Sequence, residues 1–190
     1  MAHVTIIGTG AMGQAIATAL SRGGATVDLL GRQDTAALAG DVVILAVPHA
    51  ALADVVAARR AELADKVVVD ITNPVDFATF DGLVVPAGSS ATAELVRELP
   101  DSKVVKAFNT TFAATLATGT VGGQATTVLV AGDDADAKTQ VAGLVTAAGL
   151  RAVDAGSLRR ARELEALGFL QITLAAAEKV SWTGGFAVLD

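Results

Sequence analysis

Short β-branched runs alternate with alanine- and leucine-rich stretches along the whole chain. The runs at His3–Ile7, Thr26–Leu30, Val42–Ala46, Lys66–Asp70, Lys103–Ala107, Thr126–Ala131 and Arg151–Asp154 read as strands. Ala11–Arg22, His49–Arg60, Ala91–Leu99, Ala135–Ala148 and a last stretch from Leu158 to about Lys179 read as helices. Alternation of this kind builds an α/β, Rossmann-type doubly wound and mostly parallel sheet, covered by helices on both faces. Residues 31–41 are all that separates the second strand from the third, too few for the helix and strand that a full Rossmann half places there. One βα unit is therefore predicted to be missing, leaving the second strand at a sheet edge. The last helix carries Leu164, Leu167, Phe169, Leu170, Ile172 and Leu174 with little polar face. Such a helix is expected to be buried, either capping the open side of the sheet or pairing with a second copy in a homodimer. No linker or fixed-period repeat divides the chain, so residues 1–190 are read as one domain with a C-terminal helical segment at about 157–190.

Composition narrows what this fold can do. The chain is 52% hydrophobic, yet its richest stretch, Val42 to Ala53, is interrupted by Pro48 and His49 and is shorter than the roughly 20 apolar residues of a membrane span. No membrane association and, with no basic leader at the start, a cytoplasmic address are the expectations. Cysteine and tyrosine are absent, which removes disulfides, thiolate nucleophiles and the usual phenolic proton donor. The histidines are His3 and His49, so the means for proton transfer are thin. A net charge of −6 argues against a nucleic-acid partner but not against a basic pocket for one phosphate. Asp133, Asp134 and Asp136 read as an acidic helix start, and no metal site is predicted. Arg159, Arg160, Arg162, Glu163 and Glu165 read as a solvated, paired helix start.

The chemistry begins at Gly8-Thr9-Gly10-Ala11-Met12-Gly13, which joins the first strand to the first helix. In that context a GxGxxG run is a dinucleotide turn: Gly8 for the sharp bend, Gly10 for close approach to pyrophosphate, Gly13 for tight helix–sheet packing. The second strand ends in Gly31-Arg32, where NAD-selective sites carry a carboxylate; Arg32 suits a 2′-phosphate and Gly31 leaves it room, so NADP(H) is predicted. Asp28 lies too early in its strand to take that place. Ligands of open α/β sheets bind beyond the strands' carboxyl ends, where the sequence offers Val47-Pro48-His49, Thr72-Asn73-Pro74 and Phe108-Asn109-Thr110. Pro48 shapes a turn by the ribose, with Arg32, Gln33 and Pro48 as an adenine wall. Asn73 and Asn109 can bond a carboxamide, and Phe108 can wall a flat ring. Each has a plainer alternative: an Asn-Pro turn, a helix start at His49, a cap at Thr110 or Thr111, a core Phe108.

These segments, with Ala46-Val47-Pro48, Asp70-Ile71-Thr72-Asn73-Pro74 and Lys106-Ala107-Phe108-Asn109-Thr110-Thr111 in order, resemble the coenzyme F420-dependent NADP oxidoreductase family. Asp154-Ala155-Gly156, Arg162-Glu163-Leu164-Glu165 and Trp182-Thr183-Gly184-Gly185-Phe186 look like the closing part of its short members. The resemblance implies NADPH on the loops above and a flat hydride acceptor, a flavin or F420-type deazaflavin, near Phe108, Asn109 and Thr110. The electron-donating domains of membrane metalloreductases are similar too, and there the acceptor is a flavin. The expected function is an NADPH-dependent oxidoreductase with a small-molecule redox partner, its catalytic side chains unknown. Two alternatives stay open: a non-catalytic NADP(H) sensor, and a small imine or carbonyl reductase built around Lys106 or Trp182. Lys106 serves as a carboxylate's charge partner as readily as a proton donor.

Overall fold

The computed structural model describes residues 2–189. The chain runs β1 (His3–Ile7), α1 (Ala11–Arg22), β2 (Thr26–Leu30), β3 (Val42–Leu45), α2 (Leu52–Leu63), β4 (Val67–Asp70), α3 (Ala91–Glu98), β5 (Lys103–Lys106), α4 (Ala113–Thr118), β6 (Thr120–Val121), β7 (Gln124–Ala125), β8 (Thr127–Gly132), α5 (Ala135–Ala147), β9 (Arg151–Gly156) and α6 (Ala161–Ala176). β6 and β7 form a small hairpin, and the other strands make one sheet in the order β2-β1-β3-β4-β5-β8-β9. From β2 to β5 neighbours are parallel, while β8 meets β5 antiparallel and carries β9 parallel to itself. β2 is an edge strand, as the short connection requires.

Strand alternation sorts the side chains into two cores. Val42, Ile44, Val67, Val69 and Val105 face α1, α4 and α5, with Ile16, Leu20, Leu116 and Val141 packed onto them. Val43, Leu45, Val68 and Val104 face α2 and α3, meeting Val56, Leu63 and Leu95. The segment replacing the missing unit crosses this second face, inserting Leu38, 5% exposed, into the same core. It is pinned from α2, where Arg59 donates to the Asp34 and Ala36 carbonyls and Glu62 accepts from Leu38 N–H. At its end Gly40 lies so close to β1 that a Cβ would stand 2.6 Å from Thr5 N.

Several elements differ from the sequence expectation. α4 and the β6–β7 hairpin were not anticipated, because a six-residue helix gives no readable apolar period. The predicted His49–Arg60 helix opens with a 3-10 turn at His49–Ala51 and continues to Leu63, and the last helix stops at Ala176. α6 departs in part from its expected burial: Leu164 is buried as expected, but Glu165, Gly168 and Gln171 also face inward, while Leu170 is 49% exposed.

The reason is a buried ionic hub. Asp70 and Lys106 are register partners at the ends of β4 and β5. Lys106 Nζ donates to Asp70 Oδ2 at 3.0 Å, to Glu165 Oε1 at 2.9 Å and to Thr72 O at 2.6 Å, with Asp70, Lys106 and Glu165 all 0% exposed. Glu165 was expected in a solvated helix start. Arg160, Arg162 and Glu163 do pair at the surface there, but Glu165 turns inward and accepts from the N–H groups of Ala91 and Thr92, capping α3 from another helix. Lys106 is thus a charge partner with no exposed proton to give.

Removing one member of such a group strands the others without water. Lys106→Met is expected to lower unfolding stability by about 3–5 kcal/mol, read from urea midpoints. Burial alone would raise the Asp70 pKa, but the Lys106 ammonium, the Thr72 N–H and the Thr92 hydroxyl together hold it below the ordinary value. Stability from that depressed pKa is present above the unfolded value and is lost as pH falls through the folded one. The wild-type midpoint should therefore drop on acidification, and drop less in Lys106→Met.

Candidate active site

At the carboxyl end of β1 the chain turns at Gly8, whose φ of +122° favours glycine. A Cβ on Gly8 would stand 2.1 Å from Ala46 O, and one on Gly13 would stand 1.9 Å from Gly8 O, so strand, turn and helix touch by backbone. Gly8 N–H bonds to Leu30 O and Ala46 N–H to Ile7 O, tying the turn to both neighbouring strands. Gly10 differs: nothing lies within 4 Å of the Cβ it lacks. It precedes α1, which has no side-chain cap and no acidic residue in its first turn. The positive end of α1 therefore opens onto bare backbone, with Thr9 and Ala11 exposed and Met12 half-buried beside it.

At the β2 rim, Asp34 Oδ2 accepts from Gly31 N–H at 2.6 Å, and that oxygen would lie 3.3 Å from a Cβ on Gly31. The Thr9 methyl lies on the same side of Gly31. Gly31 N–H thus already holds an anionic oxygen. Arg32 next to it is exposed and has no hydrogen bond or ion pair among the described residues. Gln33 and Pro48 are exposed as well. Asp28 is engaged elsewhere, 2.7 Å from His3 Nε2. Asp34 and Arg59 were missed in the sequence. Asp34 stands three residues beyond Gly31, an offset at which an aspartate can turn back on a backbone N–H.

Beyond β3, Val47 is half-buried and Pro48 precedes the 3-10 turn, with Ala51 N–H on Pro48 O at 2.8 Å. His49 starts that turn, as its plainer alternative had it. It lines a groove of about 560 Å³ between α2 and α3, on the helical flank rather than over the glycine turn. Beyond β4 and β5 the asparagines face each other. Asn73 Nδ2 donates to Asn109 O at 2.8 Å, and Asn109 Nδ2 donates to Asn73 Oδ1 at 2.9 Å and to Leu164 O of α6 at 2.8 Å. α6 is drawn so close that a Cβ on Gly168 would stand 2.4 Å from Asn73 Oδ1. Asn109 Oδ1 is left buried with no partner, a free acceptor at the carboxyl edge. Pro74 is buried, and Thr110 is 8% exposed. Phe108 is not a wall for a ring: its side chain is 1% exposed in the core, and only its backbone, at φ +63°, belongs to the crevice. Asp134 caps α5 through Ala137 N–H, as an acidic helix start should.

A pyridine dinucleotide fits these residues. An open helix end suits a pyrophosphate, a backbone N–H holding a carboxylate beside an unpaired guanidinium suits a ribose phosphate, and the orphaned Asn109 Oδ1 suits a carboxamide N–H. Residues 25–74 match the model of the family described as NADP oxidoreductase, coenzyme F420-dependent. The chain is also 34% identical over 170 residues to the F420-dependent NADP reductase of Methanocaldococcus jannaschii, covering 87% of this chain and 76% of that one. It belongs to the F420-dependent NADP oxidoreductase family. Family membership makes it an NADP-linked oxidoreductase. A crystal structure from Arthrobacter sp. FB24, described as a candidate F420-dependent NADP-reductase, superposes with a TM-score of 0.84 at 28% identity, each chain covered in full. Metalloreductase STEAP3 of Rattus norvegicus is 36% identical over 107 residues, 56% of this chain but 20% of that protein. No helix among the described residues is long and apolar enough to cross a membrane.

The two kinds of glycine in the turn separate under substitution. Gly13→Ala, with its Cβ driven against Gly8 O, should lower both the melting temperature and NADPH affinity. Gly10→Ala meets nothing in the protein and should melt like wild type, yet lose at least about tenfold in NADPH affinity because its methyl fills the space left for phosphate. Paired thermal melts and fluorescence titrations with NADPH check both.

Proposed function

We propose that the chain transfers a hydride between NADP(H) and a flat flavin or F420-type deazaflavin, with the dinucleotide spanning the carboxyl edge from Arg32 to Asn109. In this reading Thr9, Gly10, Ala11, Met12 and Gly13 hold the pyrophosphate, Gly31 and Arg32 the 2′-phosphate, and Val47 and Pro48 border the ribose, with His49 turned to the flank between α2 and α3. Asn109 receives the carboxamide, with Asn73, Pro74, Phe108 and Thr110 fixing its place from behind. The bound cofactor supplies the hydride, two electrons and one proton, leaving NADP+, and the acceptor ring takes any further proton from water.

One observation carries the choice of acceptor: the ionisable groups that β4 and β5 bring to their carboxyl ends, Asp70 and Lys106, are sealed in the hub with Glu165. A carbonyl or imine substrate needs a positioned proton donor as charge develops on its heteroatom. A flat ring needs alignment at about 3–3.5 Å between reacting atoms, which backbone and amide groups can provide. Leu170 and the half-buried Leu167 and Leu174 along α6 support pairing of two copies through that helix.

Rapid mixing of the NADPH-loaded protein with FMN or a 5-deazaflavin should give saturable oxidation of NADPH. Tight NADPH binding with no oxidation by either ring would instead mean a nucleotide-binding module. Arg32→Ala should weaken NADPH by about 10–100-fold, the worth of a charge-assisted hydrogen bond, and leave NADH unchanged. Asp34→Ser frees the Gly31 N–H and removes a negative charge, so it should tighten NADPH while NADH changes little. Equal affinity of the wild type for both nucleotides would overturn the assignment of Arg32.

A further inference from the structure

We propose that Trp182 is the stacking platform for the acceptor ring, a tricyclic isoalloxazine or deazaisoalloxazine; this rests on the reading that the acceptor is flat. α6 crosses the carboxyl edge with Leu164 O on Asn109 and Gly168 against Asn73. Past its end the chain doubles back: Phe186 N–H reaches Gln171 Oε1, and Arg151 at the start of β9 donates to Val188 O. Because β8 runs antiparallel to β5, the start of β9 lies on the edge where β5 ends. The returning segment therefore lies on the same edge of the sheet as the position assigned to the nicotinamide.

Trp182 stands on this segment against Phe112, with ring centroids 4.9 Å apart at 54°. Phe112 immediately precedes α4, directly after the β5 loop that holds Asn109 and Thr110. α4 lies along α1, Arg22 at the end of α1 donating to Ala117 O, so the two helix starts face the same edge. Phe112 is buried at 8% exposure and Trp182 is 52% exposed, so the indole rests on Phe112 and leaves much of its surface to solvent. It is not on a loose tail. Ser181 and Thr183 bond through their hydroxyls at 2.8 Å, Thr183 N–H bonds Ser181 Oγ at 3.1 Å, and Gly184 N–H bonds Ser181 O at 2.8 Å, a closed turn with Trp182 inside it. A large aromatic held outward by a hydrogen-bonded turn keeps its apolar face unburied until a flat partner covers it. Phe108, the ring the sequence offered for this work, is in the core.

Trp182 is the chain's sole tryptophan and tyrosine is absent, so intrinsic emission reports this position. Titration with riboflavin and with 5-deazariboflavin, without NADPH and corrected for ring absorbance, should give saturable quenching whose midpoint tracks the KM of that ring in NADPH oxidation. Trp182→Ala should raise the acceptor KM about tenfold, the worth of one aromatic stack, with NADPH affinity unchanged and Trp182→Phe restoring most of the loss. Normal turnover with no saturable quenching, or an unchanged KM in Trp182→Ala, overturns the platform and leaves the proposed function standing. Quenching without oxidation of NADPH keeps the platform and removes the redox reading, and neither quenching nor oxidation removes both.

Discussion

An ammonium group with no access to water, held between two carboxylates, decides where α6 sits against the sheet and the start of α3. Lys106 comes from β5, Asp70 from β4 and Glu165 from α6, and each is worse off alone than in water by several kcal/mol. The group carries one more negative charge than positive. The N-terminus of α3 makes up part of the difference, since its first N–H groups point at Glu165 and its dipole favours an anion there. Two helices and two strands are thereby locked in one register, and a shift of α6 by a single residue would break the hub.

The crevice inherits that register. Leu164, one residue before Glu165, presents its carbonyl to Asn109, and Gly168, one turn after Leu164, lies flat on Asn73. Glycine is required at 168 because the backbone of α6 comes within a side chain's width of the asparagine pair. Between Lys106 and Asn109 the chain takes a left-handed step at Phe108, which costs a non-glycine residue about 1–2 kcal/mol. Full burial of the phenyl ring returns a comparable amount. The step turns the Phe108 ring into the core while the next residue stays at the edge, and it leaves Asn109 Oδ1 as an acceptor with no internal partner.

The sequence disclosed the sheet well, because buried parallel strands such as Val42–Leu45 are apolar at every position and the glycine turn has a fixed strand–turn–helix context. Even the missing βα unit was legible, as a simple shortage of residues between 30 and 42. Interactions between distant residues were not. Glu165 sits among charged neighbours and looked solvated, and nothing local says that it caps α3, which begins 74 residues earlier. Phe108 and Asn109 were picked from their position after β5, but which of them turns inward depends on one backbone dihedral. Asp34 escaped notice because the selectivity rule looks for an acid that binds ribose. Here the acid binds the backbone N–H on which a phosphate oxygen would sit.

That last point bears on how a dinucleotide is chosen. In a site without nucleotide, Gly31 N–H would otherwise face solvent beside the Arg32 guanidinium, and the Asp34 carboxylate occupies it across the turn from Gly31 to Asp34. The segment that carries Asp34 is not free to swing as a whole, because Arg59 and Glu62 clamp residues 34, 36 and 38 to α2. Under the proposed function, an arriving 2′-phosphate would displace one carboxylate by side-chain rotation and keep the loop in place. A ribose hydroxyl has no negative charge with which to compete and gains little from Arg32. Selectivity in the proposed arrangement would be a contest between two anions for one donor, with the charge of Arg32 weighting it toward the doubly charged one.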